Sequence, residues 1–284
     1  MAAHFLEGEI PNAKPEDAAF HIIPVPLEST VSYGGGTANG PAALIDASIQ
    51  LELWDGKDKP GLLGVHTAAP VDCSGPIVKT LDRIEDAVSY ALECEALPLV
   101  VGGEHTVTLG ALRAMKQRYG KLGVVQFDAH ADLRNTYEGS PYSHACVMRR
   151  AVDDLGLPLF QIGVRALCDE EETFRKTNDI PHLDARELFQ KGIPGRLLPP
   201  DFPNRIYITF DVDGLDPSVI RATGTPVPGG IGWQEALTLL NTVLQGRTLV
   251  GADVVELAPA PGDHASDFAA AQLAYTLMGL APKE

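Results

Sequence analysis

The chain has 284 residues, of which 38 are acidic and 22 basic, giving a formal net charge of −16, with 45% hydrophobic and 21% charged residues. That balance suits a folded globular protein with a sizeable core. It argues against binding nucleic acid or an anionic membrane, both of which need basic patches to neutralise phosphate.

No apolar run approaches the ~18 residues of a membrane span. The opening MAAHFLEGEI carries acids where a signal peptide would have a basic-then-apolar pattern, so none is expected. Cys73, Cys94, Cys146 and Cys168 show no CxxC spacing and read as reduced thiols of a cytoplasmic protein.

In chain order, His21 to Pro26 reads as a strand and Ser29 to Gly36 as a glycine-rich loop. That loop lacks both the Lys-Ser/Thr of a P-loop and GxGxxG spacing, so it is not read as a phosphate cradle. Gly40-Pro41 suits a helix start, with helix expected over Ala42 to Leu53. Thr80 is placed to cap a helix running to about Cys94, with Leu81, Ile84, Val88 and Ala91 on one face. Strands are then expected at Leu97 to Val101, Gly123 to Phe127, Leu159 to Val164, Ile206 to Val212 and Leu249 to Val255. Helices are expected over Thr106 to Tyr119, around Trp233 to Leu244, and over Phe268 to Met278. The alternation predicts an α/β fold with a central, mostly parallel sheet covered on both faces, in one domain spanning 1–284.

The stretch from Gly123 to Asp132, GVVQFDAHAD, draws the chemistry together. If the backbone stays extended, Asp128, His130 and Asp132 point to one side, which suits a divalent cation. Asp-x-His-x-Asp alone is also compatible with a solvated loop. Further acids and imidazoles follow other strands: His105 after Val101, Asp211 and Asp213 after Phe210, and Glu256 after Val255. In an open parallel sheet these positions share one rim. Taken singly, His105 could cap the next helix and Glu256 could be a solvated acid. The 211–217 run resembles part of a calcium loop or a plain Asx turn, yet lacks the closing glutamate of an EF-hand. Together the carboxylates would repel unless cations neutralised them, and the set is large enough for two ions that share bridging ligands and activate water. Carboxylate-rich ligation with two imidazoles points to Mn²⁺.

Gly102-Gly103-Glu104-His105, Asp128-Ala129-His130-Ala131-Asp132, Ser143-His144-Ala145 and Asp211-Val212-Asp213-Gly214-Leu215-Asp216-Pro217 resemble, in order, the signatures of the ureohydrolases, the family of arginases and agmatinases. The resemblance runs from about Pro24 to Leu280. It implies a three-layer α/β/α fold, a homotrimer or homohexamer, and two Mn²⁺ per chain held by His105, Asp128, His130, Asp132, Asp211 and Asp213. It further implies that Glu256 binds the guanidinium of a small cationic substrate, that His144 carries the proton to the leaving amine, and that Asp132 orients the attacking water. The products would be urea and an amine.

The segment after Asp132 looks like the agmatinase group, because Leu133-Arg134 separates the metal aspartate from Asn135-Thr136, unlike the polar run that serves an α-carboxylate in arginases. Asn135 is read as a substrate contact, and agmatine is the expected substrate. Hydrolysis of 4-guanidinobutyrate, 3-guanidinopropionate or a formimidoyl substrate is the nearest alternative. A one-zinc deacetylase of related fold fits less well, since it needs fewer acids. A non-catalytic scaffold would be expected to have lost ligands, and none is missing. Cys146 reads as a small buried residue or, alternatively, a redox-sensitive thiol.

Overall fold

The computed structural model describes residues 3–282. The apolar runs form a single eight-stranded sheet: β1 (Phe20–Val25), β2 (Val65–Thr67), β3 (Leu97–Gly102), β4 (Gly123–Phe127), β5 (Leu159–Ile162), β6 (His182–Leu183), β7 (Arg205–Asp211) and β8 (Thr248–Val255). The strand order is β2-β1-β3-β8-β7-β4-β5-β6, and every neighbouring pair is parallel. Parallel neighbours need crossovers, which helices supply on both faces. On one face α1 (Gly40–Ser48), α6 (Ala185–Lys191), α7 (Trp233–Val243) and α8 (His264–Gly279) close a core containing Leu44, Leu188, Leu240 and Leu273. On the other α2 (Ile77–Glu93), α3 (Val107–Tyr119), α4 (Val147–Asp153) and α5 (Asp169–Thr177) bury Ile84, Leu112, Met148 and Phe174. The result is the expected three-layer α/β/α arrangement, with the β-branched and leucine-rich strands buried on both faces.

Several boundaries differ from the sequence expectation. Thr80 does not cap α2; Pro76 stands at the cap position and Thr80 lies buried inside the helix. The first long helix stops at Ser48 instead of Leu53, and the last begins at His264, where the Asp263 side chain caps it by accepting from the Ser266 amide. The edge strands β2 and β6 escaped notice because three and two residues carry no readable period. No helix among the described residues is long and apolar enough to cross a membrane. All four cysteines are unpaired.

Two packing features fix where the central strands end. Phe127 on β4 and Phe210 on β7 stack with centroids 4.7 Å apart and planes 6° from parallel, immediately before Asp128 and Asp211. An aromatic pair of this kind adds about 0.5–1.5 kcal/mol beyond its buried area. Gly103 lets β3 turn sharply into α3: a Cβ there would lie 2.0 Å from the Leu27 carbonyl oxygen.

Candidate metal centre

The four central strands, β3, β8, β7 and β4, each deliver acids or imidazoles at their carboxyl ends, the usual place for a site in an open parallel sheet. His105 follows β3, Asp128 to Asp132 follow β4, Asp211 ends β7 with Asp213 just beyond, and Glu256 follows β8. Strand β4 stops at Phe127, so the extended backbone assumed for Asp128, His130 and Asp132 does not continue. Asp132 instead has a left-handed backbone, φ 53°, as does Glu256, φ 65°. Non-glycine residues in this region carry strain and are held there by their surroundings.

This turn divides the ligands into two groups that share one residue. His105, Asp128 and Asp132 form the first, and Asp128, His130 and Asp213 the second. His105 Nδ1 lies 3.1 Å from Asp128 Oδ2, 3.0 Å from Asp132 Oδ2 and 3.5 Å from Asp211 Oδ2. His130 Nδ1 lies 3.0 Å from Asp213 Oδ2 and 3.6 Å from Asp128 Oδ1. Backbone and amide donors aim these carboxylates. Gln126 Nε2 donates to Asp128 Oδ2 at 2.7 Å, the His130 amide to Asp128 Oδ1 at 2.6 Å, and the Ala129 amide to Asp213 Oδ1 at 3.0 Å.

Counting protons shows what this constellation fits. Asp253, buried beneath the site, accepts from the hydroxyls of Thr108, Tyr207 and Thr209 at 2.9, 2.8 and 2.7 Å, and from the Phe210 amide at 3.3 Å. The Thr209 hydroxyl proton is therefore committed to Asp253. Thr209 Oγ1, 2.8 Å from His105 Nε2, can only accept there. His105 Nε2 therefore donates to Thr209, which leaves Nδ1 as the ring atom facing three aspartate oxygens, with no hydrogen-bond partner of its own. A buried ring nitrogen among carboxylates calls for positive charge, a proton or a metal ion, and a second group sharing Asp128 calls for another. The residues present fit a binuclear metal centre.

The electrostatics agree. Burial opposes charging His105 and His130, yet the aspartates outweigh it, so His105 is pushed well above its ordinary value and His130 up to about 11. Protons on the imidazoles answer the carboxylate charge that metal ions would otherwise neutralise. Burial, then the Asp128 charge, pushes Asp132 up to about 7, while burial and neighbouring Asp213 hold Asp211 well above the usual range. Asp128 runs against its burial and sits below the ordinary value, because both imidazoles face it. Burial lifts Glu256 to about 8, opposed by the His105 amide, which donates to its Oε1 at 2.6 Å.

Above these groups opens a cleft of about 420 Å³, lined by Asp132, Asp211, Asp213 and Glu256 on its floor and by Tyr33, Arg134, Tyr137, His144 and Glu171 around it. The Arg134 guanidinium lies 5.1 Å from the Tyr137 ring centroid, and Tyr137 meets the His144 ring edge-on at 5.9 Å. Glu171 is buried and accepts from the amides of Leu133 and Cys168 at 3.0 and 2.8 Å, tying the rim to α5.

Asn135 stands apart from the other sequence-derived site residues. It is exposed, its amide oxygen accepts from Arg150 Nη2 at 2.9 Å, and it is absent from the cleft lining. Its neighbour Arg134 takes the place at the rim. Cys146 is fully buried, and burial pushes its thiol up to about 11, which favours the protonated form. Sequence reasoning missed Gln126, Thr209 and Asp253. An acid in the middle of the apolar run from Leu249 to Val255 was the readable signal for Asp253; Thr209 had none beyond being polar in a buried strand.

The Arginase family model matches residues 18–279. An N(1)-aminopropylagmatine ureohydrolase of Synechocystis sp. is 38% identical over 285 residues, covering 97% of this chain and 92% of the relative. An agmatinase of Bacillus subtilis is 34% identical over 250 residues, covering 86% and 85%. The crystal structure of agmatine ureohydrolase of Thermoplasma volcanium superposes with a TM-score of 0.84 at 28% identity, covering 98% of this chain and 94% of that one. With the fold, the strand-end ligands and these matches in agreement, the chain belongs to the arginase family of ureohydrolases.

Proposed function

We propose that the protein hydrolyses the guanidino group of a linear, agmatine-type amine to urea and an amine, using two Mn²⁺ per chain. The observation that carries this reading is the pair of candidate ligand groups sharing Asp128, with His130, Asp132 and Asp213 lining the same cleft as Glu256. His105, Asp128 and Asp132 would hold one ion and Asp128, His130 and Asp213 the other, with Asp211 beside the first. Such a pair supplies an activated water at neutral pH.

The chain's own groups do the remainder. The His105 amide occupies Glu256 Oε1, so Oε2 remains to accept from the planar guanidinium in a charge-assisted hydrogen bond. Asp132, at the junction of floor and cleft, orients the attacking water by accepting from it. His144, lining the cleft, delivers a proton to the departing amine, which cannot leave as an anion. Burial keeps His144 below its ordinary value despite the opposing Glu104 charge, which favours the neutral imidazole that takes up a proton before passing it on.

The N(1)-aminopropyl derivative is placed ahead of agmatine itself, supported by the higher identity to the Synechocystis enzyme. Cytoplasmic residence and a homotrimer or homohexamer belong to the same reading; light scattering of the Mn²⁺-loaded protein checks the assembly. The deciding experiment is urea release across N(1)-aminopropylagmatine, agmatine, arginine, 4-guanidinobutyrate and 3-guanidinopropionate, with Asp128→Ala as control. Hydrolysis of the two amine-ended substrates, abolished in the control, supports the reading. Preference for a carboxylate-ended substrate overturns the tail, and silence on all five overturns the reaction.

A further inference from the structure

Glu104 is a fully buried carboxylate that the reaction above leaves unused. It follows the paired glycines after β3 and reaches the 29–30 segment, far away in sequence. Its Oε2 accepts from the amides of Ser29 and Thr30 at 2.5 and 2.7 Å, and its Oε1 from the hydroxyls of Thr30 and Ser29 at 2.8 and 3.3 Å. Every acceptor position of the carboxylate is filled.

The Thr30 hydroxyl also touches His144 twice. Its Oγ1 accepts from the His144 amide at 3.0 Å and lies 3.1 Å from His144 Nδ1. Two oxygens 2.8 Å apart need a proton between them, and with both amides and the Ser29 hydroxyl already donating to Glu104, the Thr30 hydroxyl is the donor. The Thr30 proton therefore points at Glu104, and Oγ1 presents only lone pairs to His144. Nδ1 can approach it to 3.1 Å only by bringing a proton itself. The other group near Nδ1 is Ser143 Oγ, at 3.4 Å, a longer contact that can turn to accept as well. Nε2 then lacks a proton, and it has no hydrogen-bond partner among the described residues.

We infer that Glu104 and Thr30 are positioning residues for His144, locking the imidazole as its Nδ1–H tautomer so that Nε2 is the atom that takes and gives the proton. The same logic operates beneath the site, where Asp253 and Thr209 fix His105 Nε2 as a donor, so two carboxylate–threonine–histidine chains serve the cleft. The catalytic consequence rests on His144 being the proton carrier; the tautomer does not.

Two measurements separate these. Histidine-selective ¹⁵N spectra of protein loaded with diamagnetic Mg²⁺ report the tautomer, with His144 assigned by its loss in His144→Asn. The expected spectrum has Nδ1 protonated and Nε2 bare in the unsubstituted protein and in Thr30→Ser, and loses that pattern in Thr30→Val. Glu104→Gln, whose amide can donate to Thr30 and free the hydroxyl proton for Nδ1, shifts the proton towards Nε2. A protonated Nε2 in the unsubstituted protein, or an unchanged pattern in Thr30→Val, overturns the inference.

In turnover, Thr30→Val lowers kcat on the order of 10- to 100-fold with little change in KM, and Thr30→Ser restores it. In a His144→Asn background Thr30→Val has no further effect. An equal loss in both backgrounds would mean that Thr30 does not act through His144. Full activity in His144→Asn would instead remove His144 as proton carrier, while the spectra still decide the tautomer.

Discussion

His105, Asp128, Asp211 and Glu256 stand at the ends of four adjacent strands and are at most 8% exposed, whereas Tyr33, Arg134 and Tyr137 ride on loops around the cleft, with Tyr33 86% exposed. On the floor backbone and amide donors aim the carboxylates, and two layers of hydrogen bonds, Thr209 then Asp253, stand behind His105. At the mouth the contacts are a cation over a ring and an edge-on aromatic pair, both of which tolerate sliding. Rigid elements suit atoms that must be held to fractions of an ångström, and loops suit a substrate tail whose length and charge vary among relatives.

The difference can be broken at its strongest point. Asp128 serves both ligand groups, so Asp128→Asn is expected to lose both ions and about 10³-fold or more in kcat. Metal analysis after gel filtration checks the first and urea release the second; retention of two ions per chain would separate Asp128 from the metal centre. Chelation comes next. Removing metal that binds only the folded protein, at ~100 times its Kd, costs about 2.7 kcal/mol, which for a chain of this size lowers Tm by roughly 5 °C or more. Calorimetry before and after EDTA, with Mn²⁺ added back, reads the change.

The support beneath the floor is the third test. Thr209→Val leaves His105 Nε2 without its acceptor, so Mn²⁺ affinity is expected to fall roughly 10- to 100-fold, as read by titration calorimetry, with the fold intact by circular dichroism. The mouth answers differently. Arg134→Ala is expected to change KM and the ratio between the two amine-ended substrates by about tenfold or less, since a partly exposed cation contributes of order 1 kcal/mol. Its metal content should be unchanged; loss of metal there would erase the distinction between floor and mouth. The smallest effect is expected at Cys146. A buried thiol pushed up to about 11 stays protonated at pH 8 and should resist alkylation by iodoacetamide in the folded protein, checked by mass spectrometry.

Legibility in the sequence follows the same division. The six metal-ligand candidates and Glu256 could be named because each follows a short apolar run, and a parallel sheet brings strand ends to one rim whatever the strand order. Asp128, His130 and Asp132 were read as one face by extending the strand period past Phe127. The backbone turns left-handed at Asp132, so His130 pairs with Asp213 and Asp132 with His105. Asn135 is named from local spacing and lies outside the cleft, where it accepts from Arg150, while Arg134 lines the rim.

The sequence by itself determined the alternation of strands and helices, the covered parallel sheet and the inventory of candidate ligands, since these depend on side-chain period and on chemistry within a few residues. Tertiary structure alone decided which imidazole nitrogen faces which carboxylate. Thr30, Glu104 and His144 meet across separations of 74 and 114 residues, and Thr209 meets His105 across 104. Only the strand order puts them in reach, and hydroxyl protons acquire a direction only when both of their neighbours are known.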